Sequence, residues 1–307
     1  MIGFAVPEDE STPAPTHEEI LAQTERIVEE YIQKIVPDEL MRTKRMAHVY
    51  NKLKRLSVLL IENTVKEFAD CDFRPAFFEL RTDGRDDGPR PLEIPLSGGT
   101  RVVLKGIIDR VDIWKKDGKV YVRIVDYKTG SKEFDLEDVS HDLNTQMLLY
   151  LFSICANAGG RFRQKCGLGE DESPLPAGII YLSSALPRVE VKDMEMKDED
   201  VLLLTEAELS RSGVLLNDED IVHAFSHSES KSFLMGVTRN KSGALIGKAL
   251  ISAEDFSGLY TQIEDTIKDI ASRIYEGIAD STPLRYGDKD PCRYCSVKPI
   301  CRKNNFK

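Results

Sequence analysis

Between residues 101 and 128 apolar and polar side chains alternate with the period of two expected of β-strands, and the alternation breaks at Asp117-Gly118. Asp-Gly between two such runs is a strong signal for a two-residue hairpin turn. The pattern predicts strands over residues 101–116 and 119–128, with Lys116 opposite Lys119. The register then sets Trp114 against Tyr121, Ile113 against Val122, Asp112 against Arg123 and Val111 against Ile124. Those four pairings support a sheet. The pair that follows in this register, Asp109 against Asp126, opposes two like charges with Cβ atoms ~5 Å apart, which is destabilising. Lys128 follows Asp126 by two residues and so shares its face. A face ending in Asp, Asp and Lys suits a divalent cation between the carboxylates, since Mg²⁺ is held by one or two carboxylates plus substrate phosphates. A solvated acidic patch, or a bulge that shifts the register, would give the same residues no such role.

Elsewhere, three- and four-residue apolar spacing predicts helices over residues 16–35 and 38–69. Thr16 with Glu19 three residues on forms a capping box at the first of them. Strands are expected at 76–80, near 92–96 and at 178–182, a buried helix at 143–155, a loop at 159–176, and helices at 199–209 and 255–278. Residues 1–16, acidic and proline-rich, read as a disordered tail without the basic start and apolar middle of a signal peptide. Gly243 to Lys248 imitates a phosphate-binding loop but is one residue short between its glycines and lacks the Ser or Thr after Lys, so it reads as a surface turn.

Composition sharpens this picture little. The 307 residues are 41% hydrophobic and 31% charged, with a net charge of −10, so the overall balance does not advertise a polyanion partner. No stretch is apolar for the ~18 residues a membrane helix needs. Locally the balance reverses: Arg42, Lys44, Arg45, Lys52, Lys54 and Arg55 fall in a helical stretch without an acidic residue. Either this is an ordinary solvated face or it contacts DNA phosphates.

Of six cysteines, Cys292, Cys295 and Cys301 form C-x2-C-x5-C. Thiolates at such spacing hold zinc or an iron–sulfur cluster, and both ordinarily take four ligands. Cys155 lies in the apolar helix and reads as a core residue, which leaves Cys71 and Cys166 as further candidates.

Taken together, Gly106-Ile-Ile-Asp109-Arg110-Val-Asp112, Ile124-Val-Asp126-Tyr127-Lys128-Thr129-Gly130 and Gln146-x3-Tyr150 resemble the RecB-type branch of the PD-(D/E)xK nuclease superfamily. With the cysteine triplet, the stretch from Thr16 to Phe306 is similar to the C-terminal nuclease domain of the AddB/RexB family of bacterial helicase–nuclease subunits. The resemblance implies an α/β fold, a restriction-endonuclease-like mixed sheet flanked by helices, with a helical N-terminal part and a C-terminal cysteine-cluster extension. It implies metal binding by Asp109, Asp126 and the backbone carbonyl of Tyr127, a catalytic Lys128, and a site closed by Gln146 and Tyr150. Glu79 on the preceding strand is expected to support the site without being a ligand. Implied cofactors are Mg²⁺ and a [4Fe-4S] cluster with Cys292, Cys295 and Cys301 as three of its ligands. Implied partners are DNA and an AddA-like helicase subunit, in the bacterial cytoplasm, for double-strand break processing.

The expected layout is a tail at 1–16, a helical part at 17–70, the nuclease core at 71–285 and the cysteine segment at 286–307. Two parts of the family pattern are absent: a Cys-Pro-Phe-like element supplying a fourth cluster ligand, and a Gly-x-x-x-His element whose His helps bind metal. His17 and His48 lack that context. The expectation is a fragment of a longer subunit, weak or inactive by itself and with its cluster incomplete. A stand-alone RecB-like exonuclease of the CRISPR-associated kind, and a catalytically idle DNA-binding or scaffold module, are the alternatives.

Overall fold

The structure, a computed structural model, describes residues 13–35, 43–85, 88–128, 134–184, 209, 211–231, 233–278, 280, 282–283, 286–287 and 290–301. Helix α1 (His17–Ile35) opens on the expected capping box: Glu19 N–H donates to Thr16 Oγ1 at 3.3 Å, and Thr16 N–H donates to Glu19 Oε2 at 2.8 Å. Helix α2 (Lys44–Ala69), capped by Thr43, packs on α1 through Ile20, Val58 and Ile61. The predicted start of that helix at 38–42 lies outside the described residues.

Strands β1 (Arg74–Arg81), β2 (Leu92–Pro95), β3 (Arg101–Leu104), β4 (Ile107–Lys116) and β5 (Lys119–Lys128) follow. The first predicted hairpin strand is thus two strands, β3 and β4, and β3 pairs with β2 in a small separate sheet. Asp117 and Gly118 have φ of 50° and 73°, the two positive values of a type I′ turn, whose twist matches that of the flanking strands. The register runs as predicted from Lys116–Lys119 to Arg110–Val125. The Trp114 and Tyr121 rings pack at a tilt with centroids 5.2 Å apart.

Helices α3 (Leu136–Ser140), α4 (Gln146–Asn157) and α5 (Gly160–Cys166) come next, then β6 (Leu175–Ser183), β7 (Arg211–Leu216) and α6 (Glu219–Phe225). The expected loop at 159–176 therefore contains a helix. Phe162 and Cys166, four apart, bury one face of it, and Gly167 in the left-handed conformation ends it. The expected helix at 199–209 lies outside the described residues except for Leu209, which is in a turn. Short strands β8 (Thr238–Arg239), β9 (Leu245–Ile246) and β10 (Leu250–Ile251) precede α7 (Ala253–Tyr275). The rejected nucleotide loop turns out to belong to the β8–β9 hairpin and the segment after it.

Six strands form one mixed sheet in the order β1-β4-β5-β6-β7-β10, with β5–β6 and β7–β10 parallel. One face is covered by α4, α5 and α7, with Leu148, Leu151 and Phe162 against Val111, Val122 and Ile124. The other is covered by the end of α2 and by α6, with Phe68, Phe73 and Phe225 against Val125, Ala177 and Ile180. The α/β expectation, a mixed sheet between helices, is met. Among the described residues no helix is long and apolar enough to cross a membrane.

Candidate active site

The β4–β5 ladder stops at Arg110–Val125. Asp109 and Asp126 are therefore not the ladder pair that the register predicts. Two like charges gain nothing by closing that rung, and Asp109 takes another partner: its Oδ2 accepts the backbone N–H of Tyr127 at 2.9 Å. A carboxylate thus replaces a strand carbonyl where the two strands part. On its other side β5 continues alongside β6, with Asp126 against Tyr181 and Lys128 against Ser183. Lys128 Nζ lies 2.5 Å from Asp126 Oδ2 and 5.1 Å from the centre of the Tyr181 ring.

The electrostatics at Asp109 are set mainly by burial, with the Asp126 charge a smaller contribution. Burial pushes the Asp109 carboxyl above its ordinary range; the Tyr127 N–H opposes this, the Asp126 charge adds to it and Lys128 subtracts from it. Asp126 is 9% exposed, and its Oδ2 has the Lys128 charge beside it without a well-aligned hydrogen bond. Buried oxygen donors of this kind fit a hard divalent cation such as Mg²⁺.

Helix α4 brings in the second motif. Gln146 Nε2 donates to Tyr150 Oη at 3.0 Å, one turn along the helix. The Tyr150 ring covers Gly106, three residues before Asp109: a Cβ at position 106 would stand 2.6 Å from Tyr150 Cζ and closer still to Cε1 and Oη. Gly106 is itself fixed by Thr82, whose backbone N–H donates to Gly106 O at 3.0 Å and whose Oγ1 accepts from Gly106 N at 2.9 Å. Two separate chains of contacts result: Asp109 to Tyr127, and Gln146 through Tyr150 to Gly106 and Thr82. Thr129 and Gly130 lie outside the described residues.

Glu79 follows Phe78 and precedes Leu80, whose ladder partners Arg110 and Ile108 flank Asp109. Its φ of 48° marks a kink in β1, and its side chain lines a surface cleft with Arg81, Arg85 and Arg161. Among the described residues no three His, Cys, Asp or Glu side chains are grouped to hold a metal ion, so Glu79 does not join Asp109 and Asp126 as a third ligand.

That same observation applies to the cysteines. Cys292 and Cys295 flank a short 3-10 turn (Pro291–Tyr294) capped by Asp290, and Cys301 closes the next turn through its N–H to Val297 O. The three do not gather into a ligand set. Cys71 and Cys166 are buried, and burial pushes both thiols up to about 11; it pushes Cys155 up to about 12. Among the described residues none of these three is grouped with the C-terminal cysteines, so those residues do not fit a closed four-ligand site. Of the basic helical face, Lys44, Arg45, Lys52 and Arg55 are exposed, whereas Lys54 reaches Glu25 of α1 at 2.7 Å. Arg42 lies outside the described residues.

Behind the site is a charge cluster that sequence reasoning caught only in its Asp112–Arg123 pair. Glu67 of α2 receives Arg123 at 2.5 Å, Arg211 of β7 at 2.6 Å and Arg110 at 3.4 Å. Asp112 holds Arg110 at 3.0 Å and Arg123 at 2.8 Å. All five side chains are buried. Burial would raise the Glu67 carboxyl, but the guanidiniums of Arg211, Arg123 and Arg110 outweigh it and hold the group well below the usual carboxylate range. Two arginines in strands otherwise rich in Val and Ile were the signal in the sequence; nothing there pointed to Glu67.

A family model described as the PD-(D/E)XK nuclease superfamily matches residues 10–302. The chain belongs to the PD-(D/E)XK nuclease superfamily. It is 30% identical over 287 residues to the B subunit of the ATP-dependent helicase/deoxyribonuclease of Clostridium acetobutylicum, covering 91% of this chain and 24% of that protein. It is 32% identical over 283 residues to the protein of the same name from Thermoanaerobacter sp. strain X514, covering 91% and 23%. The corresponding figures for Caldanaerobacter subterraneus subsp. tengcongensis are 33% over 288 residues, 92% and 24%. The chain thus spans about a quarter of the length of these relatives.

Proposed function

We propose that this chain is the nuclease module of a bacterial helicase–nuclease subunit of the AddB type, hydrolysing DNA phosphodiester bonds with Mg²⁺ in the cytoplasm during double-strand break processing. The observation that carries the reading is the parting of β4 and β5 at Asp109 and Asp126, with Lys128 on the second carboxylate. Superfamily membership and the similarity to deoxyribonuclease subunits support it.

In this reading Asp109, Asp126 and the Tyr127 carbonyl hold Mg²⁺. When bound, the ion polarises the phosphoryl group and lowers the pKa of its water. The chain's own residues do the rest. Asp126 holds the Lys128 ammonium beside the carboxylate pair, where it neutralises charge that develops on the phosphate. The Tyr127 N–H orients Asp109 through Oδ2, leaving Oδ1 for a cation. Tyr150, braced by Gln146, walls the site beside Gly106 and limits how substrate enters. Cys292, Cys295 and Cys301 would give three thiolates to a [4Fe-4S] cluster whose fourth ligand comes from outside the described residues. Lys44, Arg45, Lys52 and Arg55, with Arg42, would meet DNA phosphates, and a helicase-bearing second subunit would supply the strand.

The test is Asp126→Ala and Lys128→Ala in the complete helicase–nuclease. Each should lower cutting of one DNA strand by about 10²-fold or more, the typical effect of losing one electrostatic stabiliser, with unwinding retained. Normal cutting by both variants would rule this centre out.

A further inference from the structure

The last residues of β5 carry Asp126 and Lys128, yet they have left the β4 ladder. On the β4 side the Asp109 carboxylate holds the backbone there through the Tyr127 N–H. The Tyr127 side chain alternates to the opposite face from Asp126 and Lys128. There its phenol oxygen accepts Arg110 Nη1 at 2.9 Å, and the guanidinium lies 5.8 Å from the centre of its ring. Arg110, fully buried, is gripped in turn by Glu67 and Asp112. Burying three guanidiniums and two carboxylates is weak as a source of stability, because desolvation offsets the attraction. Such a cluster does fix geometry, and this one ends on the residue between Asp126 and Lys128.

The geometry points to the Tyr127 phenol as a positioning group for the candidate metal site: the Glu67–Asp112–Arg110 cluster locks the end of β5 from behind, so that the Tyr127 N–H and Asp109 stay in register with Asp126. This rests on the metal-site reading above. It assigns the side chain of Tyr127 a role separate from that of its carbonyl, and it makes α2 part of the site's support although its end packs on the opposite face of the sheet from Asp126 and Lys128.

Tyr127→Phe removes one oxygen and keeps the ring and the carbonyl. Mn²⁺ binding to the full chain, followed by electron paramagnetic resonance titration, is compared for wild type, Tyr127→Phe and Asp126→Asn, beside the melting temperature of each protein without metal. Loss of a hydrogen bond behind metal ligands typically lowers affinity about 10- to 100-fold. The expected result is a loss of about 10-fold for Tyr127→Phe, beyond what any fall in its metal-free melting temperature accounts for, and with cutting restored by excess Mg²⁺. Unchanged Mn²⁺ affinity in Tyr127→Phe, while Asp126→Asn loses binding, overturns the positioning role alone. A loss of affinity that only parallels a lower metal-free melting temperature also overturns it, since the phenol then merely stabilises the fold. If Asp126→Asn binds Mn²⁺ as wild type does, the metal site itself is misplaced and the inference falls with it.

Discussion

The ring of Tyr150 occupies the space in which a side chain at position 106 would begin, with Cζ 2.6 Å from where that Cβ would be. Gly106 is thus fixed by α4 packing onto the sheet, not by a turn. Gly106→Ala must push Tyr150 aside or displace the backbone that leads to Asp109. Overpacking of this kind costs about 1–3 kcal/mol. Gly106→Ala and Tyr150→Ala should each lower cutting, and the double variant should cut no worse than Tyr150→Ala alone. Additive losses in this cycle would mean that the two residues act independently.

How much of this was legible beforehand differs by element. The hairpin was legible because one dipeptide fixes a turn type, and the turn type fixes a register that the Trp114–Tyr121 and Asp112–Arg123 pairs then satisfy. The rung at Asp109 failed because a register argument assumes that the ladder continues, whereas like charges favour its ending. The helix at Gly160–Cys166 was hidden by its glycine borders, which read as loop although they bound about two helical turns with one buried face. Glu67 was invisible because its partners, Arg123 and Arg211, lie 56 and 144 residues away. No local period encodes such a pairing. Asp109, Asp126 and Lys128 came from the hairpin register and the Gln146–Tyr150 motif from the resemblance, while the structure supplied what holds them: Thr82, Gly106 and the Tyr127 N–H.

The basic face of α2 divides into two parts. Lys54 is engaged with Glu25, so Lys54→Ala should loosen the α1–α2 packing only slightly, since solvent-screened pairs contribute little, and leave DNA binding intact. Arg45, Lys52 and Arg55 are exposed. Reversing all three to Glu should weaken duplex binding and flatten its dependence on log salt by ~0.9 for each phosphate the protein no longer neutralises. Binding isotherms at several salt concentrations measure this; an unchanged slope would make the face a solvated surface only.

The six thiols should separate into two classes. Cys71, Cys155 and Cys166 have thiols pushed up to about 11, 12 and 11 by burial, while Cys292, Cys295 and Cys301 are exposed or half-buried. Thiolate is the reactive form. A disulfide reagent at pH 8 should therefore modify three cysteines in the native chain, and the other three only after denaturation. Peptide mapping would identify them. Rapid labelling of Cys155 or Cys166 in the native protein would contradict the packing of α4 and α5.

The buried cluster makes an acid prediction. Glu67 has a folded value held below the ordinary one by Arg211, Arg123 and Arg110, against the opposing effect of burial. A depressed carboxylate contributes stability that is present in full above its unfolded value of ~4.3 and is lost as pH falls from there through the folded value. Removing the partner altogether should be severe: Glu67→Ala leaves three buried guanidiniums with Asp112 alone, and breaking a buried pair costs about 3–5 kcal/mol. Glu67→Gln keeps the shape and one acceptor but abolishes the titration. Denaturant unfolding of wild type and Glu67→Gln at pH 7, 5 and 3.5 should give the same stability difference at the first two and a smaller one at the third. A difference that held constant down to pH 3.5 would mean that folding does not depress the Glu67 carboxyl; one that grew on acidification would reverse the sign and contradict an ionised Glu67 in the folded chain.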